Sequence, residues 1–120
     1  MQRIAWAFLV ALHLLPIVPL FRPALLGKMY GVAPGSVMTP LLQHRAALFL
    51  AVAAVCLLAL FDPASRRAAA LVVGISMGTF LTLYVLHGAP APLRTIALAD
   101  VIGLPFLLYV IWTNVAAHAG

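Results

Sequence analysis

The feature that most constrains this chain is a set of four long apolar stretches, at about 4–21, 41–61, 68–86 and 93–114. Each holds roughly 18 to 22 residues, enough for an α-helix to cross a hydrocarbon core about 30 Å thick. Hydrophobic residues make up 66% of the chain and charged residues only 8%, against about 25% charged in an average soluble domain. The sequence therefore predicts an all-α integral membrane protein, a single four-helix bundle over 1–120 with short loops and one longer interfacial loop.

The charged residues lie mostly at the ends of these stretches. Seven are basic and two are acidic. In a soluble protein this excess would suggest nucleic acid, but no basic run interleaved with aromatic residues exists, so we expect lipid headgroups and no nucleic acid as partners. Basic residues are balanced between the two faces. The compact Arg66-Arg67 turn favours both termini on the cytoplasmic side of a cell inner membrane, in a multi-pass protein.

The connecting segments carry signals for where helices begin and end. Pro16, Pro19 and Pro23 indicate that the first helix is kinked or ends near them. The longest connector, Arg22 to Thr39, has apolar residues that favour an interfacial position. Thr39 is predicted to cap the second helix, and Ser65 the third.

Arg45 and Asp100 are the two charged residues inside predicted spans. A lone charge in hydrocarbon costs roughly 2.5 to 3.5 kcal/mol on insertion scales, so such residues usually pair inside a bundle. The second and fourth helices start from the same face, which places both charges roughly 6 to 9 Å below it. We therefore predict that Arg45 and Asp100 face one another.

Other polar residues are predicted to reach the same half of the bundle. His44 adjoins Arg45, Tyr84 and His87 end the third helix, and His13 lies deeper in the first. Ionisable residues inside a membrane are functional candidates by default, so all six are predicted to bind a ligand. In the alternative interpretation, the Arg45–Asp100 pair only fixes the register of two helices.

Gly74 and Gly78 form a small-xxx-small pattern in the third span. Such a pattern lets helices approach closely. Packing inside the bundle is the favoured interpretation, and packing against another copy or a larger complex is the alternative.

The sequence contains no residue pattern that predicts a disulfide, a metal site or a catalytic site. Cys56 is the single cysteine, so no intrachain disulfide or CxxC pair can form. His13, His44, His87 and His118 have no metal-ligand spacing, and we predict no metal site. A bis-histidine haem between His13 and His44 or His87 is supported only by the presence of histidines. No catalytic residue can be named, and enzymatic activity stays open.

Three short motifs connect the chain to a family. Tyr30-Gly31-Val32, His44-Arg45-Ala46 and Ala99-Asp100 resemble the pattern in one uncharacterised branch of the DoxX-like group of small four-helix bacterial membrane proteins. The resemblance covers nearly the whole chain. It implies a bacterial inner-membrane protein, and the wider group is associated with quinone-linked sulfur oxidation and redox homeostasis.

These observations lead to one functional expectation and two alternatives. The expectation is an amphipathic small molecule, a quinone or a lipid, bound in an intrabundle polar pocket around Arg45 and Asp100. The first alternative is a structural or accessory subunit of a larger membrane complex, and the second is a quinone- or haem-linked redox enzyme.

Overall fold

The structure is a computed structural model that describes residues 1–17, 28, 31, 33 and 35–116. Regular structure in these ranges is entirely helical, which confirms the all-α prediction for them. The α-helices whose bounds can be given within these ranges are α1 (Gln2–Leu14), α2 (Met38–Phe61), α3 (Arg66–Leu86) and α4 (Arg94–Asn114). Short 3₁₀ turns adjoin them at Leu15–Ile17, Pro63–Ser65 and Ala91–Leu93.

Three helical segments of 24 residues are long and apolar enough to cross a membrane: Met38–Phe61, Pro63–Leu86 and Ala91–Asn114. Leucine and alanine, which favour helices, are frequent in them. Pro105 lies inside α4 without ending it.

The first helix is shorter than the sequence predicts. It was expected over about 4–21, but α1 ends at Leu14 after 13 residues, and residues 18–21 lie outside the described residues. Pro16 explains the end, since proline disfavours α-helical geometry at the preceding residue and clashes with the carbonyl four residues earlier. At 1.5 Å per residue, α1 is about 20 Å long.

The second helix begins earlier than predicted, and Thr39 is not its cap. Helix α2 starts at Met38, so Thr39 and Pro40 both lie in its first turn. The Met38 N–H donates to the Ser36 hydroxyl oxygen at 3.1 Å. Pro40 is tolerated there because the first N–H groups of a helix have no intrahelical acceptor.

The turn between α2 and α3 is built on Asp62. Ser65 occupies the predicted N-cap position of α3, but its side chain makes no capping hydrogen bond to the helix. The Asp62 carboxylate accepts from the Ala64 N–H at 3.0 Å and from the Ser65 hydroxyl at 2.6 Å. Arg66 donates from Nε to the Ala59 carbonyl at 3.0 Å, which satisfies an acceptor at the end of α2. The side chains of Asp62 and Arg66 therefore both make hydrogen bonds that stabilise the turn.

The helices form a ring in which α1 packs on α2 and α4, and α3 packs on the same two helices. Helix α1 runs antiparallel to α4. The Asn114 side chain donates to Gln2 Oε1 at 2.9 Å, and the Phe8 and Phe106 rings stack with centroids 4.1 Å apart. Short connections make α2, α3 and α4 antiparallel to their chain neighbours.

The core lies at the centre of this ring. Its largest fully buried side chains include Trp6, Leu9, Val73, Met77 and Val110. The outward faces are also apolar: Phe61, Ile75 and Leu86 are each about 70% exposed, at 72%, 68% and 73%. A helix that is apolar on all sides is typical of a membrane environment.

Candidate functional site

Arg45 lies in the first third of α2, where its guanidinium contacts aromatic rings of two helices. The Arg45 Cζ atom is 5.0 Å from the ring centroid of Phe49 and 5.1 Å from that of Phe80 on α3. Both distances are within cation–π range. Phe49 follows Arg45 by four residues, and this spacing places the two side chains on one face of the helix. Two helices therefore hold one cation in place.

The Arg45 guanidinium forms one end of a groove between α2 and α3. The groove has a cavity volume of about 360 Å³, which is near the lower end of small-molecule sites. It is open on the outer surface. The residues that line it are mostly apolar: Arg45, Leu48, Phe49, Val52, Ile75, Ser76, Thr79, Phe80 and Leu83.

A second cavity of about 340 Å³ adjoins this groove toward the α3–α4 connection. It shares Arg45, Phe80 and Leu83 with the first cavity, and Tyr84 and His87 also line it. Three of the six predicted ligand-binding residues, Arg45, Tyr84 and His87, therefore lie around two adjoining cavities. We call the two cavities together the α2–α3 groove.

Asp100 lies close to Arg45 without contacting it directly. Its side chain is buried in α4, at 5% exposure. Arg45 is near enough to exert a Coulombic attraction on the carboxylate, but no ion pair within 4.0 Å joins these two described residues. Among the described lining residues of the α2–α3 groove, Asp100 is absent. Arg45 therefore lines the groove, whereas Asp100 is buried and does not line it.

His13 is buried near Phe49 and is not among the described residues that line either cavity. Its exposure is 2%, and its ring centroid is 6.1 Å from that of Phe49. Nδ1 lies 2.8 Å from the Leu9 carbonyl and must donate to it, so the neutral ring carries its proton there. Nε2 is buried and has no partner among the described residues.

The structure does not bring His44 to the groove. Its side chain is exposed on α2 and is not among the described residues that line either cavity. Consecutive residues of a helix point about 100° apart, so His44 and Arg45 face different directions. His118, Tyr30 and Val32 lie outside the described residues.

Gly74 and Gly78 lie on a surface that is only partly packed. A Cβ atom added at Gly74 would be 3.3 Å from Ile111 Cδ1 of α4, whereas one added at Gly78 would meet nothing within 4 Å. The close approach inside the bundle occurs instead at Gly103, where a Cβ would be 2.7 Å from Leu12 Cδ2. Gly78 therefore faces outward, and internal packing explains only one end of the motif.

Sequence reasoning missed the aromatic residues that hold Arg45. Phe49 could have been found from its spacing of four residues after Arg45. Phe80 could not, since it lies on another helix and no periodic pattern fixes the rotation of α3. Among the described residues, no group of three histidine, cysteine or acidic side chains is placed to hold a metal ion.

No protein-family model, curated protein or solved structure matches this chain. The resemblance to the DoxX-like group therefore stays a prediction that rests on the motifs quoted above.

Proposed function

We propose that this chain is a multi-pass protein of a bacterial inner membrane, of the DoxX-like kind, whose α2–α3 groove binds an amphipathic small molecule, a quinone or a lipid. The observation that carries the proposal is the Arg45 guanidinium, held by Phe49 and Phe80 at the end of an open, mostly apolar groove. A cation beside apolar surface suits a molecule with a polar head and a hydrocarbon body.

The membrane location is supported by the outward faces of the helices. Met38–Phe61, Pro63–Leu86 and Ala91–Asn114 each have the length and composition of a span. Helix α1 packs along α2 and α4, so in this proposal it lies inside the membrane with them and the bundle has four helices. Resistance to alkaline extraction from membranes is the expected result. Release of the full-length protein into the soluble fraction would contradict the location.

Within this proposal Arg45 holds the polar head, and Tyr84 and His87 offer further hydrogen bonds from the outer end of the groove. Asp100 partly compensates the charge of Arg45 in a region of low dielectric. His13 lines neither cavity among the described residues, so it would act only through Phe49, whose ring lies near its own.

The test is native mass spectrometry of protein extracted gently from its own membrane. We expect a stoichiometric additional mass on the wild type and its loss in Arg45→Ala. The matched control is Arg94→Ala, which removes an exposed arginine that lines a different cavity at the same end of the bundle. A bare wild-type subunit, or a mass retained equally by both variants, would contradict binding at Arg45.

A second candidate function is a structural or accessory subunit, and one observation favours it. The face around Gly78 is open, and Gly74, Gly78, Thr79 and Thr82 line a shallow cavity on the outside of α3. Small residues in this arrangement let another helix approach closely. Cross-linking in membranes from a cysteine placed at Gly78 would recover a dimer or a larger complex in this case. Monomer alone would contradict it. Quinone-linked redox activity remains a further alternative if the bound mass is a quinone.

A further inference from the structure

The Arg45 guanidinium has unused hydrogen-bonding capacity. It carries five N–H donors that lie in its plane. The contacts that the structure gives it are with the π-faces of Phe49 and Phe80, and no described residue accepts a hydrogen bond from it. Arg45 is half-buried, and its nitrogens are not among the described side-chain atoms that are fully buried without a partner, so they are open to an acceptor from outside the bundle. In the membrane location proposed above, that outside is hydrocarbon, where a donor without an acceptor is destabilising.

Among the described residues, no carboxylate lies close enough to Arg45 to accept a hydrogen bond from it. Asp100 is the one carboxylate whose field is coupled to Arg45, and it does not reach ion-pair distance. The hydroxyls of Ser76 and Thr79 line the same groove. The site thus presents a charged planar fork, two hydroxyl groups and an apolar channel. An ideal complement has two or more oxygen atoms that share a negative charge.

A neutral head group fits this site less well. A quinone carbonyl accepts hydrogen bonds but brings no charge, so Arg45 would keep only the partial compensation that Asp100 gives from beyond ion-pair distance. Phosphate and carboxylate groups accept two parallel N–H···O bonds from one guanidinium and also compensate its charge. Such charge-assisted bonds contribute more than neutral ones.

We infer that the occupant of the α2–α3 groove is an anionic amphipath, whose phosphate or carboxylate head binds Arg45 and whose hydrocarbon chain lies along Leu48, Val52 and Ile75. This inference rests on the proposed function and narrows it from any amphipath to an anionic one. Entry is sideways, because the groove is open on the outer surface of α2 and α3. The two hydroxyls, of Ser76 and Thr79, give the head group additional donors.

The experiment uses the full chain in nanodiscs that contain equal amounts of phosphatidylglycerol and phosphatidylcholine. Lipids that stay with the protein after gentle release are identified by native mass spectrometry. The wild type is expected to retain phosphatidylglycerol over phosphatidylcholine by about tenfold. Both lipids carry a phosphate that can accept from Arg45, but the choline cation of phosphatidylcholine offsets the negative charge that compensates the guanidinium. Arg45→Gln is expected to abolish this preference, and Arg94→Gln to keep it.

Three further arms make the result decisive. Decylubiquinone is added in one arm, inorganic phosphate in the second and a long-chain fatty acid in the third. We expect the fatty acid to displace phosphatidylglycerol and the quinone not to do so. Inorganic phosphate is expected to compete poorly, because it lacks the chain that binds the apolar part. Displacement by inorganic phosphate at the same concentration as the fatty acid would overturn the role given to the chain.

The two proposals fail differently in this experiment. Stoichiometric retention of phosphatidylcholine or decylubiquinone, lost in Arg45→Gln, would overturn the anionic inference and leave amphipath binding intact. Absence of any retained molecule on the wild type would overturn both. Equal loss in Arg45→Gln and Arg94→Gln would show general attraction to basic residues and would also overturn the inference.

Two further variants test whether a loss of lipid retention in Arg45→Gln is caused by misfolding. Arg45→Lys keeps the charge but removes the planar fork, so a reduced preference is expected. Ser76→Phe fills the groove while Arg45 stays in place, and it is expected to lower retention of phosphatidylglycerol to the level of Arg45→Gln. Retention unchanged in a folded Ser76→Phe variant would place the lipid elsewhere and overturn the inference.

Discussion

Two interfaces between helices of the bundle, which we call the α1–α4 seam and the α2–α3 seam, are built in opposite ways. Along the α1–α4 seam, side chains meet directly: Phe8 stacks on Phe106, and Asn114 donates to Gln2. Along the α2–α3 seam, the helices pack least among the neighbouring pairs of α-helices and leave an open groove with Arg45 at its end. The α1–α4 contacts therefore fix the register of the helices, whereas the looser α2–α3 packing leaves room for the proposed ligand.

The cavities of the two seams differ in chemistry as well. The α1–α4 seam has a cavity of about 230 Å³ lined by Met1, Ile4, Ala5, Pro105, Phe106 and Tyr109, with no charged side chain. The α2–α3 groove has more volume and a guanidinium. Apolar surface is common on this molecule, and Arg94 also lines a cavity, so a guanidinium in contact with two aromatic rings is what distinguishes the candidate site from a surface depression.

The largest expected effect is at the closest approach of the tight seam. Gly103→Leu would force the side chains of Leu12 and Met77 to move, since even a Cβ would be 2.7 Å from Leu12 Cδ2 and 3.1 Å from Met77 Cε. We expect a loss of about 1–3 kcal/mol of unfolding free energy, measured by thermal or denaturant unfolding in detergent. Gly78→Leu is the control, and it should leave stability nearly unchanged. Equal destabilisation by both would mean that the α1–α4 seam is not the tighter one.

An intermediate effect is expected from the same substitution made on each seam. Phe8→Leu removes the stacking on Phe106 and should lower the unfolding free energy by about 0.5–1.5 kcal/mol, with the bound molecule retained. Phe80→Leu removes one ring beside Arg45 and should lower ligand retention while changing stability less. Unfolding and native mass spectrometry on the two variants measure both quantities. Parallel losses of stability and ligand in both variants would remove the distinction between the seams.

The smallest effect is expected at the turn that closes the α2–α3 seam. Hydrogen bonds from the Ser65 hydroxyl and the Ala64 amide lower the pKa of Asp62. Because the folded-state pKa is below the unfolded one, this contribution to stability is present above the unfolded value, near 4, and is lost as the pH falls through the folded value. Unfolding measured from pH 6 to about pH 3 should therefore show a slightly steeper decline for wild type than for Asp62→Asn. Identical profiles would contradict the role given to Asp62.

Part of this organisation could be predicted from the sequence. The fourth helix, expected over 93–114, is observed as Arg94–Asn114, since a proline-rich loop marks its start. The end of the first helix was predicted less well. Pro16 stops α1 at Leu14, but several prolines follow one another in the sequence and do not show which of them ends the helix.

Counting along the helices predicts how deep a residue lies in the bundle, but not the direction in which its side chain points. Counting residues from the helix ends placed Arg45 and Asp100 in the same half of the bundle, and no ion pair within 4.0 Å joins them in the structure. Their side-chain directions depend on helix rotation, which a helix that is apolar on all sides does not encode. For this reason Arg45 was expected against Asp100 inside the bundle, whereas the structure places its guanidinium beside Phe49 and Phe80 at an outer groove.

The most direct test of the central claim is photo-crosslinking in membranes with a fatty acid that carries a diazirine in its chain, followed by peptide mapping. We predict that the adducts are concentrated on Leu48, Val52 and Ile75. They should be lost in Arg45→Ala and kept in Arg94→Ala. Adducts spread evenly over the outward faces of the helices, or concentrated at the α1–α4 cavity, would contradict it.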